Sequence, residues 1–243
     1  NLALAMQKEL GADLCVGTDP DCDRVGIACM TADGTPRLLN GNQIGCVLLH
    51  YILSQKKERG ELPENAAAVT TIVSTNMATA IANSFGCKMV EVLTGFKYIG
   101  EIIGVLEKKG QPERYVFGFE ESCGYLAGTH VRDKDAVMAC MLVAEMAQAA
   151  AKEGRTLADE MESLYQKELD KAMIKLCTGT FSKEEIVYET VHSLAESGLR
   201  TIDFSSGWSM QLDTAVKLAV RTGNHQLSGK IMDANIMQTG ENL

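Results

Sequence analysis

An α/β fold with a mixed or parallel sheet flanked by helices is the architecture this sequence predicts. Three observations predict it. Apolar, strand-length runs alternate along the chain with segments whose apolar residues recur at helical spacing. Glycines stand where several of the helical segments stop. Hydrophobic residues make up 46% of the 243 and charged ones 23%, the balance of a globular protein with a core to bury. Strand and helix in alternation lay the strands side by side and use the helices as cover.

Each element follows in order. Residues 2–10 read as a helix closed by Gly11, and DLCVGT (13–18) as the strand after it. RVGIACM (24–30) is a second strand, and TADGTPRLLN (31–40) a hairpin or loop turning at Asp33-Gly34. Ile44, Val47, Leu48, Tyr51 and Ile52 share one helical face. AAAVTTIV (66–73) is an apolar, β-branched strand, and Asn76 can cap a helix that carries Met77, Ile81 and Phe85 and stops at Gly86. KMVEVL (88–93) is the next strand, and Ile99, Ile102, Ile103 and Leu106 mark a helix ended by Gly110. RYVFGF (114–119) is again a strand. Val137, Cys140, Met141 and Ala144 mark a long helix, and Thr156 with Asp159 opens one more. Beyond about residue 170, Ser182 and Glu185 form a capping box before Ile186, Val187, Val191 and Leu194. LRTIDF (199–204) reads as a strand and DTAVKLAVRTG (213–223) as a helix, while 224–243 gives no clear signal.

Composition narrows the function classes. Acidic residues outnumber basic ones 32 to 23, so no cationic surplus exists to displace the counterions of a nucleic acid. The longest apolar stretch, Ala136 to Ala144, is less than half of a membrane-spanning helix, and NLALAMQKELGAD carries no basic region or cleavage signal. The eight cysteines form no C-x-x-C pair, which argues against zinc and for reduced, mostly buried thiols in a cytoplasmic protein.

Three loops after strands carry unusual chemistry: 17–24, 94–98 and 118–124. In open α/β sheets, ligands sit at the carboxyl ends of strands. Asp19, Asp21 and Asp23 alternate, which in an extended loop points all three carboxylates one way. Converged carboxylates repel unless a cation sits among them, and hard oxygen ligands suit Mg²⁺ or Ca²⁺. A solvated acidic turn gives the same pattern. An EF-hand does not fit, because its sixth position is Arg24 and its twelfth Met30. A phosphatase-type D-x-D would need a nucleophilic aspartate, and no aspartate is singled out. Arg24 either pairs with the aspartates or holds a phosphate that bridges to the metal.

In LTGFKYIG (93–100), a Gly-containing turn enters a helix where backbone N–H groups can meet an anion; Lys97 can reach a phosphate or be a plain surface lysine. Glu120, Glu121 and Ser122 stand at a strand end between glycines, where carboxylates can accept hydrogen bonds from vicinal sugar hydroxyls. His130, a candidate general acid or base or else a structural histidine, precedes a long helix together with Arg132 and Lys134.

With these loops in order, the chain resembles the α-D-phosphohexomutase superfamily of phosphoglucomutases and phosphomannomutases. TDPDCDR is similar to its Mg²⁺ loop, TGFKYIG to its sugar-specificity loop, and GFEESCG with HVRDKD to its sugar-hydroxyl loop and the basic residues beyond. The resemblance implies the following. Residues 1–26 are the end of the second domain with the metal loop, 27–168 are the sugar-binding third domain, and 169–243 are an unassigned α/β-like tail. Asp19, Asp21 and Asp23 bind Mg²⁺, and Arg24 helps hold an active-site phosphoserine. Phe96 and Lys97 line the sugar end of the cleft, and Glu120 and Ser122 bind sugar hydroxyls. His130 and Lys134 contact substrate or transfer protons. The implied reaction interconverts hexose 1-phosphate and 6-phosphate, glucose favoured, with glucose 1,6-bisphosphate as activator and intermediate. Neither a TASHNP-type serine loop nor an RPSGTEP-type phosphate loop occurs in the sequence, so the partners implied are a hexose phosphate and the missing first and fourth domains. The isolated chain is then expected to be inactive as a mutase. A non-catalytic sugar-phosphate or metal-binding module and a divalent-metal phosphatase are the alternatives.

Overall fold

The computed structural model describes residues 2–164 and, beyond them, 166, 185, 188, 191, 192, 201–203, 209–211 and 216. Two compact units divide the chain: Asn1–Ser163 with Glu196–Gly198, and Leu164–Ala195 with Leu199–Leu243. The first unit holds every residue of the candidate site.

That unit contains two sheets. Helix α1 (Leu2–Leu10) leads into an antiparallel sheet of β1 (Leu14–Thr18), β2 (Val25–Met30) and β3 (Pro36–Leu39), in that order. Gln7 ties α1 down, its buried amide donating to the carbonyls of Ala12 at 3.2 Å and Ala28 at 3.3 Å. The 31–40 segment is the expected hairpin arm: Thr31 and Thr35 close the turn through Thr31 N–H to the Thr35 carbonyl at 3.0 Å.

The second sheet runs β5-β4-β6-β7, built from β4 (Ala67–Thr71), β5 (Lys88–Val92), β6 (Tyr115–Glu120) and β7 (Gly124–Leu126). The first three are parallel, and β7 is antiparallel to β6. The sheet is therefore mixed, and helices flank it, as the alternation predicts. The chain steps from β4 out to β5 and then back past β4 to β6. Right-handed crossovers in opposite directions put their helices on opposite faces. Accordingly α3 (Asn76–Ser84) packs with α2 (Gly41–Glu58), while α4 (Phe96–Lys108) packs on β4 and β6 with Ile99 and Ile103 fully buried. On the α2 side, Phe117, Phe119 and Tyr125 stack with ring centroids 5.9–6.5 Å apart. Helix α5 (Ala136–Lys152) packs against β7 and α2, and residues 157–164 are helical after it.

Several expectations need correction. The strand expected over 66–73 ends at Thr71; Ile72 N–H still donates to the Val92 carbonyl at 2.8 Å, but Ile72 and Val73 are exposed. The cap of α3 is Thr75, whose Oγ1 accepts from Met77 N–H at 3.2 Å, and Asn76 is already helical. The strand expected from Arg114 begins one residue later, because Pro112–Arg114 make a short 3₁₀ turn. In α5 the face is different. Ala136, Ala139, Val143, Met146 and Ala150 are buried, and Val137 and Met141 face out. The thiols are less buried than expected. Among the described residues, Cys29, Cys46 and Cys87 are buried, Cys15, Cys123 and Cys140 half-buried, and Cys22 exposed, all free; Cys177 lies outside the described residues. In the second unit, Thr201–Asp203 is a strand as predicted and pairs antiparallel with Ser209–Gln211. The helices predicted over 182–194 and 213–223 lie outside the described residues apart from 185, 188, 191, 192 and 216. Among the described residues, no helix is long and apolar enough to cross a membrane.

Candidate active site

The acidic loop is the β1–β2 connection, and it is a tight turn, not an extended run. Asp19 C=O accepts from Cys22 N–H at 3.1 Å, which closes a β-turn with Pro20 at its second position. Cys22 then takes φ 55°, a left-handed conformation that is uncommon for a residue with a side chain. The carboxylates of Asp19, Asp21 and Asp23 nevertheless converge, with one oxygen from each within 4.8 Å of the others. The turn brings them together; period-two alternation does not.

Each outer aspartate has a definite partner. Asp19 Oδ1 accepts from the backbone N–H groups of Arg24 at 3.1 Å and Asp23 at 3.2 Å. Its Oδ2 accepts from Arg24 Nε at 2.7 Å. The Arg24 backbone bond, then the guanidinium, hold the Asp19 carboxyl down at about 2. Arg24 Nε also lies 3.5 Å from Asp23 Oδ1. Lys134 Nζ closes on Asp23 Oδ2 at 2.9 Å and on Asp133 Oδ1 at 3.2 Å. Burial disfavours the Lys134 charge, but the bonds to Asp23 and Asp133 outweigh it and hold its pKa above the usual lysine value. Its ammonium also stands 5.6 Å over the Phe96 ring. The lysine stem fits because Gly124 has no side chain: a Cβ there would come within 2.2 Å of Lys134 Cδ.

Backbone bonds stitch the loops into one edge. Arg24 and Gly124 form an antiparallel β-bridge, and Val25 N–H donates to the Cys123 carbonyl at 3.1 Å. Ala136 N–H, at the start of α5, donates to the Cys22 carbonyl at 3.0 Å. Gly95 N–H donates to the buried Glu120 Oε1 at 2.8 Å, tying the 94–98 loop to the end of β6. The acidic loop, the 94–98 loop, the β6–β7 turn and the entry to α5 thus meet in one place.

The remaining predicted residues lie around this junction. Phe96 opens α4 and is buried in a cluster with Val69, Ile99 and Ile103, beneath Lys134. Lys97 is exposed and leans over Tyr98, 4.8 Å from its ring. Ser122 is exposed in the β6–β7 turn. His130 Nε2 is 2.9 Å from Asp135 Oδ2, and Asp135 Oδ1 caps α5 by accepting from Met138 N–H at 2.9 Å. Burial pushes the Asp135 carboxyl up, but the Met138 bond and His130 more than offset this, and its pKa stays below the ordinary value. Among the described residues, no hydrogen bond or ion pair joins Lys97, Ser122 or His130 to Asp19, Asp21 or Asp23.

Some supporting contacts are not evident from the sequence. Glu121 Oε2 accepts from Thr71 Oγ1 at 3.1 Å and Ser74 Oγ at 3.4 Å, at the carboxyl end of β4. Asp133 and Asp135 hold Lys134 and His130. An aspartate just before an apolar helix is a cap signal, so the sequence marks Asp135 as a cap. The Glu121 contacts span about fifty residues and leave no local trace.

The donor set suits a hard dication. Octahedral Mg²⁺ at ~2.1 Å needs oxygens about 3 Å apart in cis and about 4 Å in trans. Oxygens within 4.8 Å of one another reach that spacing with small side-chain adjustments. The cations now on Asp19 and Asp23 show that the loop's charge demands compensation.

Comparison with known proteins identifies the family. The family model described as phosphoglucomutase/phosphomannomutase, alpha/beta/alpha domain III, matches residues 40–168. The chain belongs to this family. A phosphoglucomutase of Staphylococcus epidermidis is 43% identical over 155 residues, 64% of this chain and 27% of the relative. A phosphoglucomutase of Staphylococcus aureus strain N315 is 39% identical over 164 residues, 68% of this chain and 28% of the relative. The chain therefore spans little more than a quarter of the length of these relatives. Among solved structures, a Thermus thermophilus protein assigned as a phosphomannomutase shares the fold, with a TM-score of 0.52 and 21% identity over 83% of this chain and 35% of that one. A second family model, described as phage minor capsid protein 2, matches residues 119–242 and overlaps the first over 119–168. The overlap holds the end of β6, β7 and α5, and both strands belong to the same sheet as β4 and β5. The rest of that match lies almost wholly outside the described residues.

Proposed function

We propose that the chain is the metal-loop and sugar-binding portion of a Mg²⁺-dependent phosphohexomutase. The whole enzyme interconverts hexose 1-phosphate and hexose 6-phosphate, glucose favoured, through a phosphoserine and a hexose 1,6-bisphosphate. The observation that carries this reading is the β-bridge between Arg24 and Gly124, which joins the acidic loop to the β6–β7 turn. The bridge holds the acidic loop beside the β6–β7 turn, so that one ligand can touch both. The substrate class is further supported by relatives that are phosphoglucomutases.

Roles follow from position. Asp19, Asp21 and Asp23 hold Mg²⁺, which when bound supplies positive charge to the phosphoryl oxygens. Arg24 keeps its Nε on Asp19 and presents the rest of its guanidinium to a phosphate. Glu120 fixes the Gly95 backbone, so the 94–98 loop, with Phe96 and Lys97, keeps a constant distance from β6. Ser122, exposed beside it, binds a sugar hydroxyl together with Glu120. Asp135 orients His130 for proton exchange at the same edge, with Lys134 as a further contact for substrate.

No serine loop of the TASHNP type is present, so the pure chain does not turn over. A coupled assay of glucose 1-phosphate conversion checks this. Background-level rates are expected, and enzyme-like rates would overturn it. Phosphate release from a simple aryl phosphate, abolished by Asp19→Asn, would instead assign the chain to the phosphatases.

A further inference from the structure

The ion pairs around the acidic loop imply more than charge balance. Lys134 sits far from the loop in sequence, yet its Nζ lies 2.9 Å from Asp23 Oδ2. Its side chain is 17% exposed, so little solvent shields the pair. The stem crosses Gly124, and Phe96 closes the other side of the ammonium. The lysine is thus held on the metal loop by packing as well as by charge.

We propose that Lys134 is the resident counter-ion of the metal loop, and that a divalent cation binds there by displacing the ammonium from Asp23. This rests on the reading of Asp19, Asp21 and Asp23 as the metal ligands. One oxygen cannot serve both partners well. A dication about 5 Å from an ammonium is repelled by it, and neither cation gains from sharing Asp23. Arg24 differs from Lys134: its bond to Asp19 is reinforced by the Arg24 backbone N–H on the same carboxylate, so it stays with the loop. Lys134 has an alternative partner in Asp133 at 3.2 Å, so its release from Asp23 leaves it paired. Metal entry therefore shifts one cation from Asp23 to Asp133.

Calorimetric titration of the full chain with Mg²⁺ tests this. Removing a unit charge about 5 Å from the metal tightens binding by about fivefold to tenfold after screening by salt. Lys134→Met should bind Mg²⁺ tighter by that factor. Lys134→Arg, which keeps the charge, should stay within about twofold of the unaltered chain. Equal or weaker binding by Lys134→Met, with circular dichroism showing an intact fold, overturns the proposal. If the unaltered chain binds no Mg²⁺, or binds it no better than Asp19→Asn does, the metal reading itself fails, and the proposal fails with it.

Discussion

Placing a methyl group at position 124 probes the site through its packing. A Cβ on Gly124 would lie 2.2 Å from Lys134 Cδ and 2.7 Å from Cγ, so Gly124→Ala expels the lysine stem. The residue is not among the glycines with positive φ, so alanine fits its backbone. Two interactions are then lost. The Lys134–Asp23 pair, with side chains 17% and 30% exposed, contributes about 0.5–1 kcal/mol. The ammonium over Phe96 contributes a further ~0.5–1 kcal/mol. Against this total of about 1–2 kcal/mol, Gly→Ala at a compatible backbone returns ~0.4–1 kcal/mol by restricting the unfolded chain. The single variant should therefore lose about 0.5–1 kcal/mol. In a Lys134→Ala background the collision is gone, and Gly124→Ala should be neutral or stabilise by ~0.5 kcal/mol. Urea unfolding of the four proteins gives the coupling, expected at about 1–2 kcal/mol, or roughly 2–8 °C in thermal midpoint. Equal effects of Gly124→Ala in both backgrounds would refute the placement of Lys134.

Three further predictions follow from the same contacts. Asp19 has a folded pKa of about 2, below its unfolded value, so its contribution to stability is present above about pH 4 and disappears as pH falls toward 2; a carboxyl-carbon NMR titration with a midpoint near 4 would contradict the Arg24 contacts. Gly41→Ala puts a Cβ 1.9 Å from the Glu121 carbonyl oxygen, a backbone collision that should cost about 3 kcal/mol or more in urea unfolding, and a loss under about 1 kcal/mol would mean α2 does not seat against the β6–β7 turn. Cys22 is exposed, whereas burial pushes the Cys87 thiol up to about 11, so brief thiol labelling at about pH 8 read by mass spectrometry should modify Cys22 well before Cys87, and the reverse order would be incompatible with the fold.

Much of the architecture is readable because it is written locally. Gly11, Gly86 and Gly110 end their helices in the left-handed conformation, and each is legible as a stop. The buried run Ala67–Thr71 announces a central parallel strand by having no polar face. Where local signals are uniform, sequence is a poorer guide. The first turns of α5 are apolar all round, and only Glu145, Gln148 and Lys152 further along mark the outward face that Val137 and Met141 share; packing against β7 and α2 buries Ala136, Ala139 and Val143 instead. Three-residue β7 is too short to show a period, and its pairing with β6 is decided by the turn at 121–123. At the site, the residue types and the three loops are legible, but their connections are not. Asp23 to Lys134, Gly95 to Glu120 and Thr71 to Glu121 are long-range contacts that only the folded topology creates. The acidic loop shows the difference most clearly: its three aspartates are evident in sequence, while the β-turn that converges them replaces the extended segment their spacing suggests.

If residues 19–24, 94–98 and 120–124 form one site for a sugar phosphate with Mg²⁺, a single ligand must perturb all three segments at once. Amide NMR of the labelled full chain, titrated with glucose 1-phosphate at saturating Mg²⁺, tests this most directly. The account predicts shift changes concentrated in those three segments and around Lys134, and their loss in Asp19→Asn. Changes scattered over the surface, or confined to a region away from the Arg24–Gly124 bridge, would contradict it.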